Sequence, residues 1–175
     1  MTQTLCHFLI GIPGSGKSTF ARQLIEQDAK TVHISSDLIR DQLYGDPIVQ
    51  GDWSAIERQI QTEFQDAVSR GCSVVYDATN IEKRWRTDFL RDHTPPKVSW
   101  IAWVFQTPVM DCIQRNQERP QAVPMDVIID GAQLLHQFPP QPSEGFIAIL
   151  DVPMKESGWV DMDQVQVLMT QYRSR

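Results

Sequence analysis

Short continuous apolar runs alternate along the chain with stretches whose apolar positions recur at steps of three and four. Leu5 to Ile10 is a run that ends at a glycine, and Phe20, Ala21, Leu24 and Ile25 follow at helical spacing. That pattern predicts strand, loop and helix. Thr31 to Ile34 reads as a second strand, after which Ser35, Ser36 and Asp37 offer caps for a helix through Leu38, Ile39 and Leu43, broken at Gly45-Asp46-Pro47. Trp53, Ile56, Ile60, Phe64, Ala67 and Val68 predict a long amphipathic helix stopping near Gly71, and Ser73 to Tyr76 the next strand.

Thr79 or Asn80 can cap a helix through Trp85, Phe89 and Leu90, and Pro95-Pro96 separates it from Val98 to Phe105. This run is apolar on both faces, as a central parallel strand is. Pro108 suits a first helical turn and opens a helix running toward Arg119 and Pro120. Pro124 to Phe138 predicts another helix, Phe146 to Leu150 a last strand, and Met162, Val165, Leu168, Met169 and Tyr172 a terminal helix. Strands alternating with helices predict an α/β protein with a mostly parallel sheet covered on both faces.

The 175 residues suffice for one domain, 1–175, in which 143–175 adds a strand and a helix. A composition of 41% hydrophobic and 22% charged residues is that of a globular protein. A net charge of -6 excludes the broad basic field of proteins that hold long stretches of nucleic acid, so any such contact is expected to be small. Cys6, Cys72 and Cys112 are odd in number and form no C-x-x-C pair, which argues for reduced core or strand residues. The start has no signal-peptide pattern, and Val98 to Phe105 is far shorter than the roughly 18 apolar residues that cross a bilayer. A cytoplasmic protein without membrane contact is expected; the sequence leaves the oligomeric state open.

Gly11-Ile12-Pro13-Gly14-Ser15-Gly16-Lys17-Ser18 matches G-x-x-x-x-G-K-[ST] between a predicted strand and a predicted helix. Glycines let backbone N–H groups turn inward around phosphate oxygens, and the helix adds its positive end. Lys17 is expected to reach the β and γ phosphates of ATP, and the Ser18 hydroxyl to bind Mg2+. The motif by itself does not separate hydrolysis, switching and phosphoryl transfer, nor ATP from GTP.

In a parallel sheet Asp37 shares one edge with this loop, where a carboxylate can take the proton of an attacking hydroxyl. Arg40 can hold an anionic part of the acceptor. The alternative makes Asp37 a first-turn acid and Arg40 a solvated charge. Asp77 ends the third strand and can hold Mg2+ or orient the acceptor; otherwise it is a turn residue bonded to Thr79 or Asn80. Arg115 and Arg119, four apart on one predicted helix, can close over the phosphates as a lid, or simply be solvated cations near a helix C-terminus. The helix from Ile81 to His93 offers Lys83, Arg84, Arg86, Arg91 and Trp85 to a nucleotide, against a plainer reading as a surface helix with Trp85 packed inward.

These motifs together resemble the kinase domain of the bacteriophage polynucleotide kinase/phosphatase and related small P-loop kinases. The likeness covers roughly Leu5 to Phe138 and rests on Gly11 through Thr19, Asp37 with Arg40, Asp77-Ala78-Thr79-Asn80, and Arg115-Asn116 through Arg119 with Val123-Pro124-Met125-Asp126-Val127. It implies the three-layer P-loop nucleoside triphosphate hydrolase fold. It also implies Asp37 as general base toward a 5′-hydroxyl of DNA or RNA, Arg40 on an acceptor phosphate, and Arg119 in the lid. Asp77, with Thr79, would organise the acceptor site. Pro13, Thr19 and Arg115 fall among the ATP-binding positions. No D-x-D-x-T phosphatase signature follows, so a 3′-phosphatase is not expected. A kinase of a sugar, sugar acid or nucleotide sugar, or an ATP-binding regulatory module without transfer, are the competing functions.

Overall fold

In the computed structural model, which describes residues 3–173, the alternating pattern becomes five strands and seven α-helices. They run β1 (Thr4–Ile10), α1 (Lys17–Gln27), β2 (Thr31–Ser35), α2 (Ser36–Tyr44), α3 (Trp53–Ser69), β3 (Ser73–Asp77), α4 (Lys83–His93), β4 (Val98–Val104), α5 (Val109–Gln117), α6 (Met125–Gln137), β5 (Ala148–Asp151) and α7 (Met162–Arg173). The sheet order is β2-β3-β1-β4-β5, and every pairing is parallel. An isolated antiparallel bridge joins Met154 and Val160 outside the sheet.

Alternation along the buried strands assigns the layers. Cys6, Phe8 and Ile10 with Val74, Tyr76, Val98 and Trp100 pack against α3 and α4 through Ile56, Ile60, Phe64 and Phe89. Leu9, Val75, Ile101 and Trp103 face the other way, onto Phe20 and Leu24 of α1 and Val165 and Met169 of α7. A smaller cluster of Ile12, Cys112, Ile113 and Ile128 holds α5 and α6 against the glycine-rich loop. The result is helix, sheet and helix in three layers, the P-loop nucleoside triphosphate hydrolase fold.

Several boundaries depart from the sequence pattern. Pro108 and Pro124 occupy the N-cap positions of α5 and α6 with extended backbone, one place before the first turn. Neither Thr79 nor Asn80 caps α4, whose N-cap position falls at Glu82. Asn80 instead adopts a positive φ of 50° and donates from its amide to the Leu9 carbonyl at 2.7 Å, tying the ends of β1 and β3 together. The last strand starts two residues late, because Phe146 turns into the core beside Phe8, their centroids 5.3 Å apart.

Arg86 departs most. It is fully buried, pairs twice with Glu144 at 2.7 and 3.0 Å, and donates to the carbonyls of Asn80, Ile81 and Phe138. It holds α4, the end of α6 and the 3-10 turn Pro142–Glu144 together and offers nothing to a ligand. Among the described residues no helix is long and apolar enough to cross a membrane.

Candidate functional site

Parallel strands deliver their carboxyl ends to one edge, and the central position of β1 sets the glycine-rich loop between the ends of β3 and β4. Gly14 sits at φ 83°, and a Cβ there would collide with the Cys112 carbonyl, so the loop lies against α5 only as glycine. Gly16 ends the loop at φ 104° and caps α1 without any side-chain bond, leaving the first N–H groups of α1 to face a ligand. Ser15 is buried, and its carbonyl accepts from the Thr107 hydroxyl at 2.9 Å. Gly11 is buried too and donates its N–H to the Thr79 carbonyl at 3.0 Å.

Lys17 lies folded into the loop, where Nζ donates to the Ile12 carbonyl at 2.9 Å and reaches Ser15 Oγ at 3.4 Å. Burial lowers its amine to about 8, against the opposing charges of Asp77 and Asp37, while Arg119 adds to the lowering.

Asp77 is 3% exposed and accepts from His33 Nε2 at 3.0 Å. Burial would raise its carboxyl, but the His33 bond, the Lys17 charge and a hydrogen bond from Ser18 hold it below the usual carboxylate range. An ionised carboxylate beside a serine hydroxyl at the end of a strand is an oxygen donor set of the kind that suits Mg2+ in such loops. His33 was not singled out by the sequence, where it read only as one place in a strand; β2 pairs in register with β3 and brings it beside Asp77. The reading of Asp77 as a turn residue bonded to Thr79 or Asn80 gives way to these partners.

Asp37 stands in the first turn of α2, 64% exposed, and its Oδ1 accepts from Arg40 Nη1 at 2.8 Å. Ser35, rather than Asp37, is the N-cap of α2, its hydroxyl accepting from the Leu38 N–H. The Asp37 carboxylate is therefore not consumed by capping. Arg40 also approaches the Ser36 hydroxyl and the face of Trp53, and its Nε is buried without a hydrogen-bond partner.

The predicted lid is built differently from its sequence pattern. α5 ends at Gln117, so Arg115 and Arg119 do not share a helical face. Arg115 lies beside Gly16, whereas Arg119 follows the helix in a turn and lines the cleft. Buried Asn116 fixes that turn: its amide donates to the Val123 carbonyl at 2.8 Å and its oxygen accepts from the Val123 N–H at 3.0 Å. A paired amide here was legible only as one letter within the lid segment.

All of this opens on one cleft of about 1430 Å³, lined by Pro13, Lys17, Ser18, Asp37, Arg40, Asp77, Thr79 and Arg119. Thr19 and Arg115 are not among its lining residues, and the Thr19 hydroxyl accepts from Arg22 at 3.4 Å. A second cavity of about 660 Å³, lined by Lys83 and Thr87 of α4, Leu134 of α6 and Phe138 just after it, shares Arg84 and Asp88 with this cleft and contains no residue of the glycine-rich loop.

The sequence pattern of the AAA domain family matches residues 6–137, most of the chain. The chain belongs to this family. Among curated proteins it is similar to the L-seryl-tRNA(Sec) kinase of Methanococcus maripaludis, 26% identical over 125 residues, which are 69% of this chain and 48% of that protein. Among solved structures it resembles a chain of the Pnkp1/Rnl/Hen1 RNA repair complex, with a TM-score of 0.71 and 23% identity over 78% of this chain and 45% of that one. Shikimate kinase from Acinetobacter baumannii shares the fold end to end, with a TM-score of 0.60 and 20% identity over 97% of this chain and 95% of that one. The chain spans about half the length of the curated relative and of the RNA repair protein it matches.

Proposed function

We propose that this chain is a P-loop kinase domain that transfers the γ-phosphoryl group of ATP to the 5′-hydroxyl of a nucleic acid end. The observation that carries the reading is the convergence of Lys17, Asp37, Asp77 and Arg119 on one cleft. Such a set provides a cation for the transferred group, a carboxylate for the acceptor proton and an acid for the metal. The names of two relatives, a seryl-tRNA kinase and an RNA repair complex, support an acceptor carried on nucleic acid.

In this mechanism the loop N–H groups and Lys17 would hold the β and γ phosphates, and Ser18 and Asp77 would hold Mg2+, which would supply positive charge against those phosphates. Asp37 accepts the proton as the acceptor oxygen bonds to the γ-phosphorus and the bond from that phosphorus to the β–γ bridging oxygen breaks, releasing ADP. Arg40 orients the Asp37 carboxylate and is placed to meet an acceptor phosphate. Arg119 steadies the charge of the group in transfer.

If the acceptor is a 5′-hydroxyl end, ADP release is stimulated by a 5′-hydroxyl oligonucleotide and not by the same oligonucleotide carrying a 5′-phosphate. Stimulation by sugar acids alone would instead make the acceptor a small metabolite. The charge of -6 adds an expectation of few phosphate contacts, and hence a shallow dependence of oligonucleotide KM on salt.

Lys17 gives a pH prediction. Its amine is lowered from 10.5 to about 8, so between those values the unfolded chain carries a proton that the folded chain has released, and stability rises with pH across that window. Triphosphate favours the ammonium form, so ATP binding at about pH 9 should take up a proton. Calorimetry in two buffers of different ionisation enthalpy reads this uptake directly. Equal heats in the two buffers, or uptake unchanged in Lys17→Met, would contradict the assignment.

A further inference from the structure

The cleft wall beyond Asp37 carries two indoles that phosphate binding does not use. Trp53 begins α3 and Trp85 lies in the first turn of α4; their rings stack with centroids 5.6 Å apart and 16° between planes. The sequence pattern counted Trp53 with the apolar face of α3 and left Trp85 packed inward as the plainer reading. Yet they remain 37% and 48% exposed, whereas Trp100 and Trp103 are buried. Large rings left half in water on a cleft wall need a reason.

Their neighbours supply one. The Arg40 guanidinium lies 6.0 Å from the Trp53 ring centre and bonds Asp37, so contacts run from the candidate base through a cation to two aromatic rings. Arg84, 87% exposed and paired with Asp88 at 3.6 Å, lines the same cleft beside Trp85. Leu38 and Ile48, both exposed, continue the apolar lining. A nucleotide suits such a wall, since it presents a flat apolar base face with a phosphate next to it.

We infer that Trp53 and Trp85 form a stacking platform for the nucleobase at the acceptor's 5′ end, with Arg84 receiving an adjacent phosphate. The inference rests on the 5′-hydroxyl kinase reading and adds how the acceptor is selected. Stacking reads the face of a base and not its edges, so the four bases should serve as 5′-terminal residues with similar KM.

The test pairs Trp85→Ala with a 5′-hydroxyl oligonucleotide whose terminal nucleotide lacks its base. Trp85→Ala should raise the oligonucleotide KM about 5- to 150-fold, the range expected on losing one base–aromatic stack, with kcat at saturation little changed. Removing the base should cost the wild type a similar factor and cost Trp85→Ala little further, and Trp85→Phe should restore most of the affinity. Equal cost of base removal in both proteins, or a Trp85→Ala KM close to that of the wild type, would overturn the platform.

Quenching of tryptophan fluorescence by a 5′-hydroxyl trinucleotide separates this inference from the reading beneath it. Quenching that disappears in Trp85→Ala without any transfer would keep the platform and sink the kinase reading. Transfer without quenching, insensitive to Trp85→Ala, would do the reverse. Neither quenching nor transfer would overturn both.

Discussion

Asp37→Ala is expected to lower kcat for phosphoryl transfer by about 10²- to 10⁴-fold, the contribution a positioned general base makes. ATP affinity should change far less, because Asp37 stands on α2, apart from the loop and the start of α1 that are proposed to hold the phosphates. The variant also removes one of two carboxylates that favour the Lys17 ammonium, so proton uptake on ATP binding should grow. Asp37→Asn keeps the shape and loses the basicity, and it should be as inactive as the alanine variant. Single-turnover transfer with saturating ATP distinguishes these outcomes, and a rate near that of wild type in either variant would remove Asp37 from the base role.

Arg86→Ala is expected to have the largest effect on stability. The guanidinium and the Glu144 carboxylate are both buried and joined by two hydrogen bonds, and the arginine carries three further bonds to backbone carbonyls. Removing one partner leaves a buried charge and orphaned acceptors, which costs about 3–5 kcal/mol, or about 6–20 °C in Tm for a domain of this size. Arg86→Lys should recover only part of the loss, since an ammonium lacks the forked geometry. Thermal unfolding reads the shift; a change of less than about 2 °C would contradict the structural role. Glu144 lies beyond the segment that matches the family, so a cut after residue 137 should destabilise the chain in the same way.

The strand, glycine-rich loop and helix at the start of the chain were legible in the sequence, because glycine spacing, a preceding strand and a following helix leave little for tertiary context to alter. The strand and helix order was legible for a similar reason, since Phe8 and Leu9 must face opposite layers in a buried sheet. Arg86 was not legible. A cation on an amphipathic helix looks the same whether it meets water or a glutamate 58 positions later. Trp85 was misplaced in the opposite sense, because an aromatic ring is read as core unless the opposing wall is known.

The lid shows a third kind of limit. Spacing put Arg115 and Arg119 on one face, but the helix stops at Gln117, and the Asn116–Val123 pair then aims Arg119 toward the cleft. His33 escaped notice because only strand register brings it to Asp77. In each case the residue that counts acts through a partner outside its own helix or strand, where periodicity carries no information.

The central claim is that the cleft above the phosphate loop moves a γ-phosphoryl group to a hydroxyl on a nucleic acid end. The most direct measurement follows label from γ-labelled ATP with Mg2+ into a mixture of a 5′-hydroxyl oligonucleotide and a metabolite pool, with Asp37→Ala run in parallel. The account predicts label at the 5′ end of the oligonucleotide, absent in the variant. Label entering only a metabolite would contradict the acceptor, and equal transfer by the variant would contradict the mechanism.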